Sequence, residues 1–120
     1  MKRLAIGTLG AVVFVLASPA CLAKIVDCPA IARGGVEYSS HDNYVQAVRH
    51  STGALVWRTV LFTEPYTREF DPQLEEDVQW NIACLREVQA AEVVVSDRRG
   101  RIFRVSRASG KLIAMKEAPK

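Results

Sequence analysis

Histidine is scarce in this 120-residue chain: His41 and His50 are the two it has. A zinc site needs three or four Cys, His or carboxylate ligands at ordered spacing, and two scattered histidines do not supply one. Ser39-Ser40-His41-Asp42 spells the letters of a catalytic triad. A nucleophile, its base and the group that orients the base seldom converge from adjacent positions, so the stretch reads as a polar turn. The acids Asp71, Glu75, Glu76 and Asp77 lack the alternating oxygens and central glycine of a calcium loop. They read as the solvated start of a helix. No catalytic, cofactor-binding or metal-ligating residue is assigned, and no enzymatic activity is expected.

Long apolar runs are equally few. Leu4 to Ala17 is uncharged, but at about 14 residues it falls short of the ~20 that a membrane-spanning helix needs. Met1-Lys2-Arg3 precedes it and the small-residue stretch Ser18 to Ala23 follows, the build of a secretory signal peptide. Cleavage fits after Ala20 or after Ala23. The second is favoured and defines a mature domain over residues 24–120, expected in the periplasm or outside the cell. A lipid anchor on Cys21 is the alternative; Pro19 sits where such processing motifs usually carry a small residue.

The cut after Ala23 leaves two cysteines of three, Cys28 and Cys84. In an oxidising compartment an even pair tends to become a disulfide. It would close a loop of roughly 57 residues and contribute about 4 kcal/mol in the chain-entropy picture. Removing residues 1–23 reduces 16 basic residues to 14 against 13 acids, a net charge near +1. That is no general signal for nucleic acid. The distribution is uneven: from Asp97 onward eight Lys or Arg face two acids, whereas Lys24 to Ser96 holds six against eleven. No Gly/Ser linker or low-complexity tract interrupts the chain, so one domain with one modest core is expected.

The rest of the chain alternates apolar and polar residues in short runs. Val36 to Tyr38 predicts a short edge strand after Gly34-Gly35. Tyr44 to His50 and Ala54 to Phe62 predict a hairpin turned at Ser51-Thr52-Gly53. In its second strand Leu55, Trp57, Thr59 and Leu61 share one face. Thr63 to Phe70 has no clean period and reads as a loop. Asp71 as cap and Pro72 at the first helical position predict one short helix over 71–77. Val78 to Val88, Glu92 to Ser96, Arg101 to Arg107 and Lys111 to Met115 predict further strands. In the first of these, Val78, Trp80, Ile82 and Cys84 are expected to face the core. The fold class is mainly β: a single small antiparallel meander of six or seven strands.

Two turns carry a family resemblance. Ala47-x-x-x-x-Thr52-Gly53-x-x-x-Trp57 resembles the repeat of quinoprotein-type (pyrroloquinoline-quinone-like) β-propellers, where a strand ends in a Thr-Gly turn and the next carries a Trp. Arg49 stands where the family usually has Asp. A weaker copy runs from Gly100 to Leu112, with Ser109-Gly110 in place of Thr-Gly and Ala114 in place of the Trp. The resemblance covers about half of the mature chain and implies that Trp57 packs sheet against sheet. The residues alone read Trp57 as core, so both readings make it structural. Propellers close with about four to eight blades, and 97 residues supply at most two, so a complete ring is excluded for a monomer. A free-standing twisted sheet with the 71–77 helix over one face is expected, rather than blades completed by another subunit. The expected state is monomeric, because the sequence shows no apolar surface for self-association. Family enzymes hold quinone and calcium inside a complete ring and commonly use adjacent cysteines; this chain has neither, so no cofactor is carried over.

Two segments remain as candidate contact surfaces. Tyr66, in the Glu64 to Phe70 loop, reads as an exposed aromatic anchor. Arg98, Arg99, Arg101, Arg104 and Arg107 crowd one hairpin around Phe103. They would face an anionic envelope partner or pair internally with the acidic stretch Glu64 to Asp77; export argues against nucleic acid. The expectation is an exported, non-enzymatic protein that binds another envelope component, protein or polymer. The alternative is a secreted inhibitor of a hydrolase such as a lysozyme or protease.

Overall fold

Among the described residues eight strands, more than the six or seven expected, are arranged in two sheets rather than one continuous meander. The computed structural model describes residues 28–118; the expected signal peptide, both candidate cleavage sites and Cys21 lie outside them. The first sheet has the order β1 (Ile31–Arg33), β2 (Val36–His41), β3 (Tyr44–Arg49) and β4 (Leu55–Val60), antiparallel throughout. The second repeats that order with β5 (Ala83–Val88), β6 (Glu92–Asp97), β7 (Ile102–Ser106) and β8 (Leu112–Lys116). β1, three residues long, is too short to leave a period in the sequence. Gly34 and Gly35, both at positive φ, turn it into β2. Gly53 makes the β3–β4 turn at φ 77°, where Thr52 Oγ1 accepts the amide of Ala54.

The sheets stack face to face, and their facing side chains form the core. Tyr38, Val45, Ala47, Trp57 and Phe62 of the first meet Ala83, Leu85, Val93, Val95, Phe103 and Val105 of the second. The second sheet, and not a helix, covers the inner face of the first. Trp57 lies between them as expected: its Nε1 donates to the Arg107 carbonyl at 2.9 Å, and its ring lies against Gly110 so closely that a Cβ there would stand 2.6 Å away. Thr59 Oγ1 donates to the Gly110 carbonyl. Phe62 meets Phe103 with ring centres 6.2 Å apart. Burial of this set supplies the main favourable term, at about 25 cal/mol per Å² of apolar area.

The outer faces mix charged and polar side chains with exposed apolar ones such as Val60 on the first sheet. Glu37, Ser39, Gln46 and Arg58 stand on the outer side of the first; Arg86, Glu92, Arg104 and Lys116 stand on that of the second. A further sheet on either side would have to desolvate these charges. Among the described residues neither a barrel nor a propeller ring forms.

Cys28 and Cys84 are joined in a disulfide that ties the start of the first sheet to β5, with Cα atoms 5.3 Å apart and a sequence separation of 56. Arg33 Nη1 donates to the Val88 carbonyl and Ser40 Oγ accepts the Leu85 amide, closing the same side.

The segment between the sheets departs most from expectation. The helix over 71–77 is replaced by a hydrogen-bonded turn, in which Leu74 N donates to the Asp71 carbonyl and Asp71 Oδ1 accepts Gln73 N, followed by α1 (Glu76–Gln79). The physical reason is Gln79. Its buried side chain accepts the Asp71 amide and donates to the carbonyls of Asp71, Leu74 and Glu75, replacing the helical ladder. The strand expected from Val78 starts only at Ala83, and its faces are reversed. Gln79, Asn81, Ala83 and Leu85 point inward, while Val78 is 58 % exposed and Trp80 only half-buried. Amides with a full set of partners are stable inside; Asn81 accepts Arg98 N and donates to Asp97.

Candidate functional site

The crossover loop 63–82 brings together the two surfaces that the sequence keeps about thirty positions apart. Tyr66 sits at its centre, bridged antiparallel to Trp80 through the backbone, with Thr67 N donating to Gln79 O and Asn81 N to Pro65 O. The Tyr66 ring meets Phe70 at a 40° tilt, centre to centre 4.7 Å, and meets Trp80 edge-on at 5.4 Å. Its hydroxyl donates to Glu76 Oε2 at 3.0 Å, which pushes the phenol pKa above its ordinary value, the hydrogen bond being the main cause. Phe70 in this trio is exposed, as are Leu74 and Val78 farther along the loop, while Tyr66 and Trp80 are half-buried, so one edge of an aromatic platform faces solvent.

The arginine hairpin lies beneath the loop and holds it. Arg98 Nη1 donates to the carbonyls of Asp77, at 2.6 Å, and Trp80. Arg99 and Arg101 both reach Glu64 Oε1, at 3.1 and 2.9 Å. Arg101 is the buried member: it is 2.7 Å from Asp97 Oδ2 and lies over the rings of Phe62 and Phe103. Burial works against its charge, but Asp97 and then Glu64 outweigh that, and its pKa is raised. The carboxyl of Glu64 is lowered, first by its own backbone amide and then, against some desolvation, by Arg101. Much of the charge at Arg98, Arg99 and Arg101 is thus spent on internal partners. Arg104 pairs with Glu92, and Arg107 donates to the Tyr38 hydroxyl.

A cleft of about 270 Å³ opens beside the platform, lined by Asp42, Asn43, Phe62, Glu64, Trp80 and their neighbours. Gly100, at φ 85°, makes the β6–β7 turn that carries Arg98 and Arg99. Gly110, at φ 78°, makes the β7–β8 turn over Trp57. Ser39 Oγ and His41 Nε2 are 3.2 Å apart on the outer face, whereas Ser40 points toward β5. These neighbours form no converging triad. Among the described residues no group of three His, Cys, Asp or Glu is placed to hold a metal, and no helix is long and apolar enough to cross a membrane.

The sequence pattern singles out Tyr66 and the arginines but not Phe70 and Trp80, which the fold brings against Tyr66. Trp80 was assigned to the core because Gln79 and Asn81 look like outward residues. No protein-family model matches the chain, and no curated protein matches it at a significant level.

Proposed function

We propose that the chain is an exported binding protein without catalytic activity, which docks another envelope component, protein or polymer, on the Tyr66–Phe70–Trp80 platform. One observation carries this reading. The Tyr66 ring contacts both Phe70 and Trp80 on a loop whose backbone is already fixed by Gln79 and Arg98, with Phe70, Leu74 and Val78 left to water. Anchors held in place before binding lose little side-chain freedom on association, and buried aromatics dominate contact energies. The Cys28–Cys84 disulfide fits an oxidising compartment, in keeping with export.

The same preorganised loop suits a second reading, the secreted inhibitor, in which loop 63–82 enters the cleft of a hydrolase such as a lysozyme or protease. Two measurements separate the readings. Affinity capture from an envelope extract, quantified for wild type, Tyr66→Ala and Phe70→Ala, should lose the same partner in both variants. An unchanged partner set would remove the platform as the site. Assay of the pure protein at micromolar concentration against lysozymes and secreted proteases should show no inhibition under the first reading and inhibition abolished by Tyr66→Ala under the second.

A further inference from the structure

The two sheets are out of step by one strand. Trp57 and Phe62, on and just after β4, meet Arg107 and Phe103, at the end and start of β7; hence β7 runs over β4. β5 lies chiefly over β2. β8, the strand beyond β7, therefore projects past the last strand of the first sheet. Leu112 and Met115 are the ladder partners of Val105 and Phe103 and share their inward face. Yet Val105 and Phe103 are fully buried, while Leu112 and Met115 are 46 % and 43 % exposed, because no strand of the first sheet lies beneath them. Among the described residues the edge of β4 next to this overhang pairs with no other strand. Its backbone donors and acceptors on that side thus run along an apolar ledge, the surface that the sequence had not shown. A free edge of this kind is a template for an incoming strand.

We propose that the β4 edge, roofed by β8, takes up an extended segment of a partner protein as an added strand, and that this segment alternates apolar residues with carboxylates. Edge pairing requires a peptide backbone, which excludes a lipid or a glycan as the occupant. Successive side chains of an added strand point to opposite faces. Those facing inward would meet Leu112 and Met115, which favours apolar residues. Those facing outward would stand beside Arg58, on the outer face of β4. Arg58 bonds to Gln46 and lies over Tyr44, and Lys111 and Lys116 bracket β8; among the described residues none of the three is in an ion pair. Glu117 is the one acid adjoining β8. A second copy of this chain would bring these cations against their own kind, whereas an acidic segment complements them. This surface is separate from the aromatic loop and does not depend on it.

The test uses the disulfide-bonded protein and two capped synthetic peptides six residues long, the length of β4. One alternates Glu with Val and the other Lys with Val. Amide chemical shifts are followed by nuclear magnetic resonance during titration. The acidic peptide should perturb amides of Leu55 to Val60 and of β8, and should bind roughly tenfold more tightly than the basic one, with the difference shrinking as salt is added. Met115→Glu should weaken the acidic peptide. Arg58→Glu, a change on an exposed face, should reverse the preference, and Tyr66→Ala should leave binding unchanged. Equal binding of the two peptides, perturbation confined to other strands, or no binding at all would overturn the proposal. So would a concentration-dependent dimer that itself perturbs β4, which would make a second copy the occupant.

Discussion

Gly110→Ala, set against Gly53→Ala, isolates the contact that holds the two sheets together. Both glycines have nearly the same backbone, φ 78° and 77°. An L side chain in that region costs roughly 1–2 kcal/mol at either position. Their surroundings differ: a Cβ at Gly53 would meet nothing within 4 Å, whereas one at Gly110 would stand 2.6 Å from the Trp57 ring. Trp57 cannot easily retreat, since its Nε1 is bound to the Arg107 carbonyl and its ring is packed among Tyr38 and the core. Overpacking of this sort costs roughly 1–3 kcal/mol. Gly53→Ala should therefore lose about 1–2 kcal/mol and Gly110→Ala about 2–5. Urea unfolding of the disulfide-intact proteins reads the difference as a shift in midpoint at constant slope. In thermal unfolding each kcal/mol corresponds to about 4–8 °C for a domain of this size. Equal losses in the two variants would refute the placement of Gly110 on Trp57, and with it the stacking of β7 over β4.

Other outcomes follow from the same structure. Cys28→Ser with Cys84→Ser should lower stability by about 4 kcal/mol in the chain-entropy picture, given the sequence separation of 56 between the cysteines; denaturant unfolding with and without reductant checks it, and free thiols in the unreduced wild type would contradict the bridge. Gln79→Leu should cost about 1–3 kcal/mol, because the Asp71 amide loses its acceptor, and should speed proteolysis within 63–82; an unchanged cleavage pattern would count against Gln79 as the loop's tie. Glu64 has a carboxyl pKa lowered from its ordinary 4.5, so its contribution is fully present above pH 4.5 and is lost as pH falls through the lower folded value. Glu64→Gln should accordingly flatten the acid limb of the stability profile, and an unaltered limb would show that the Arg99 and Arg101 contacts carry nothing. The Tyr66 phenol should titrate above 10 by ultraviolet absorbance and move down in Glu76→Gln; the same midpoint in both proteins would refute the Glu76 bond as its cause.

How far the sequence could be read depended on which residues share a period. The Tyr44–Phe62 hairpin was legible because Gly53 marks the turn and Trp57 sits at the right parity to be buried. The disulfide was legible from the count of cysteines left after a cut at Ala23. The two-sheet arrangement was not, because each strand-to-strand step looks alike along the chain, and only the irregular 63–82 segment marks where pairing stops. Polarity misled at Gln79 and Asn81: their amides are buried because each finds backbone or side-chain partners, which reverses the parity of the following strand and moves Trp80 from core to loop. The ledge at β8 was equally hidden. Leu112, Ile113 and Met115 read as ordinary strand residues, and their exposure arises from the one-strand offset between sheets, a property of packing rather than of any local pattern. Tyr66 was found as a loop aromatic; its ring partners were not, since Phe70 and Trp80 reach it by folding.

The face-to-face stacking of the two sheets underlies the platform, the ledge and the stability predictions alike. Nuclear Overhauser contacts in the mature protein measure it directly. Cross-peaks between the Trp57 indole and the Gly110 α-protons, and between the Phe62 and Phe103 rings, are the predicted result. Two intact hairpin sheets without either cross-peak would contradict the account.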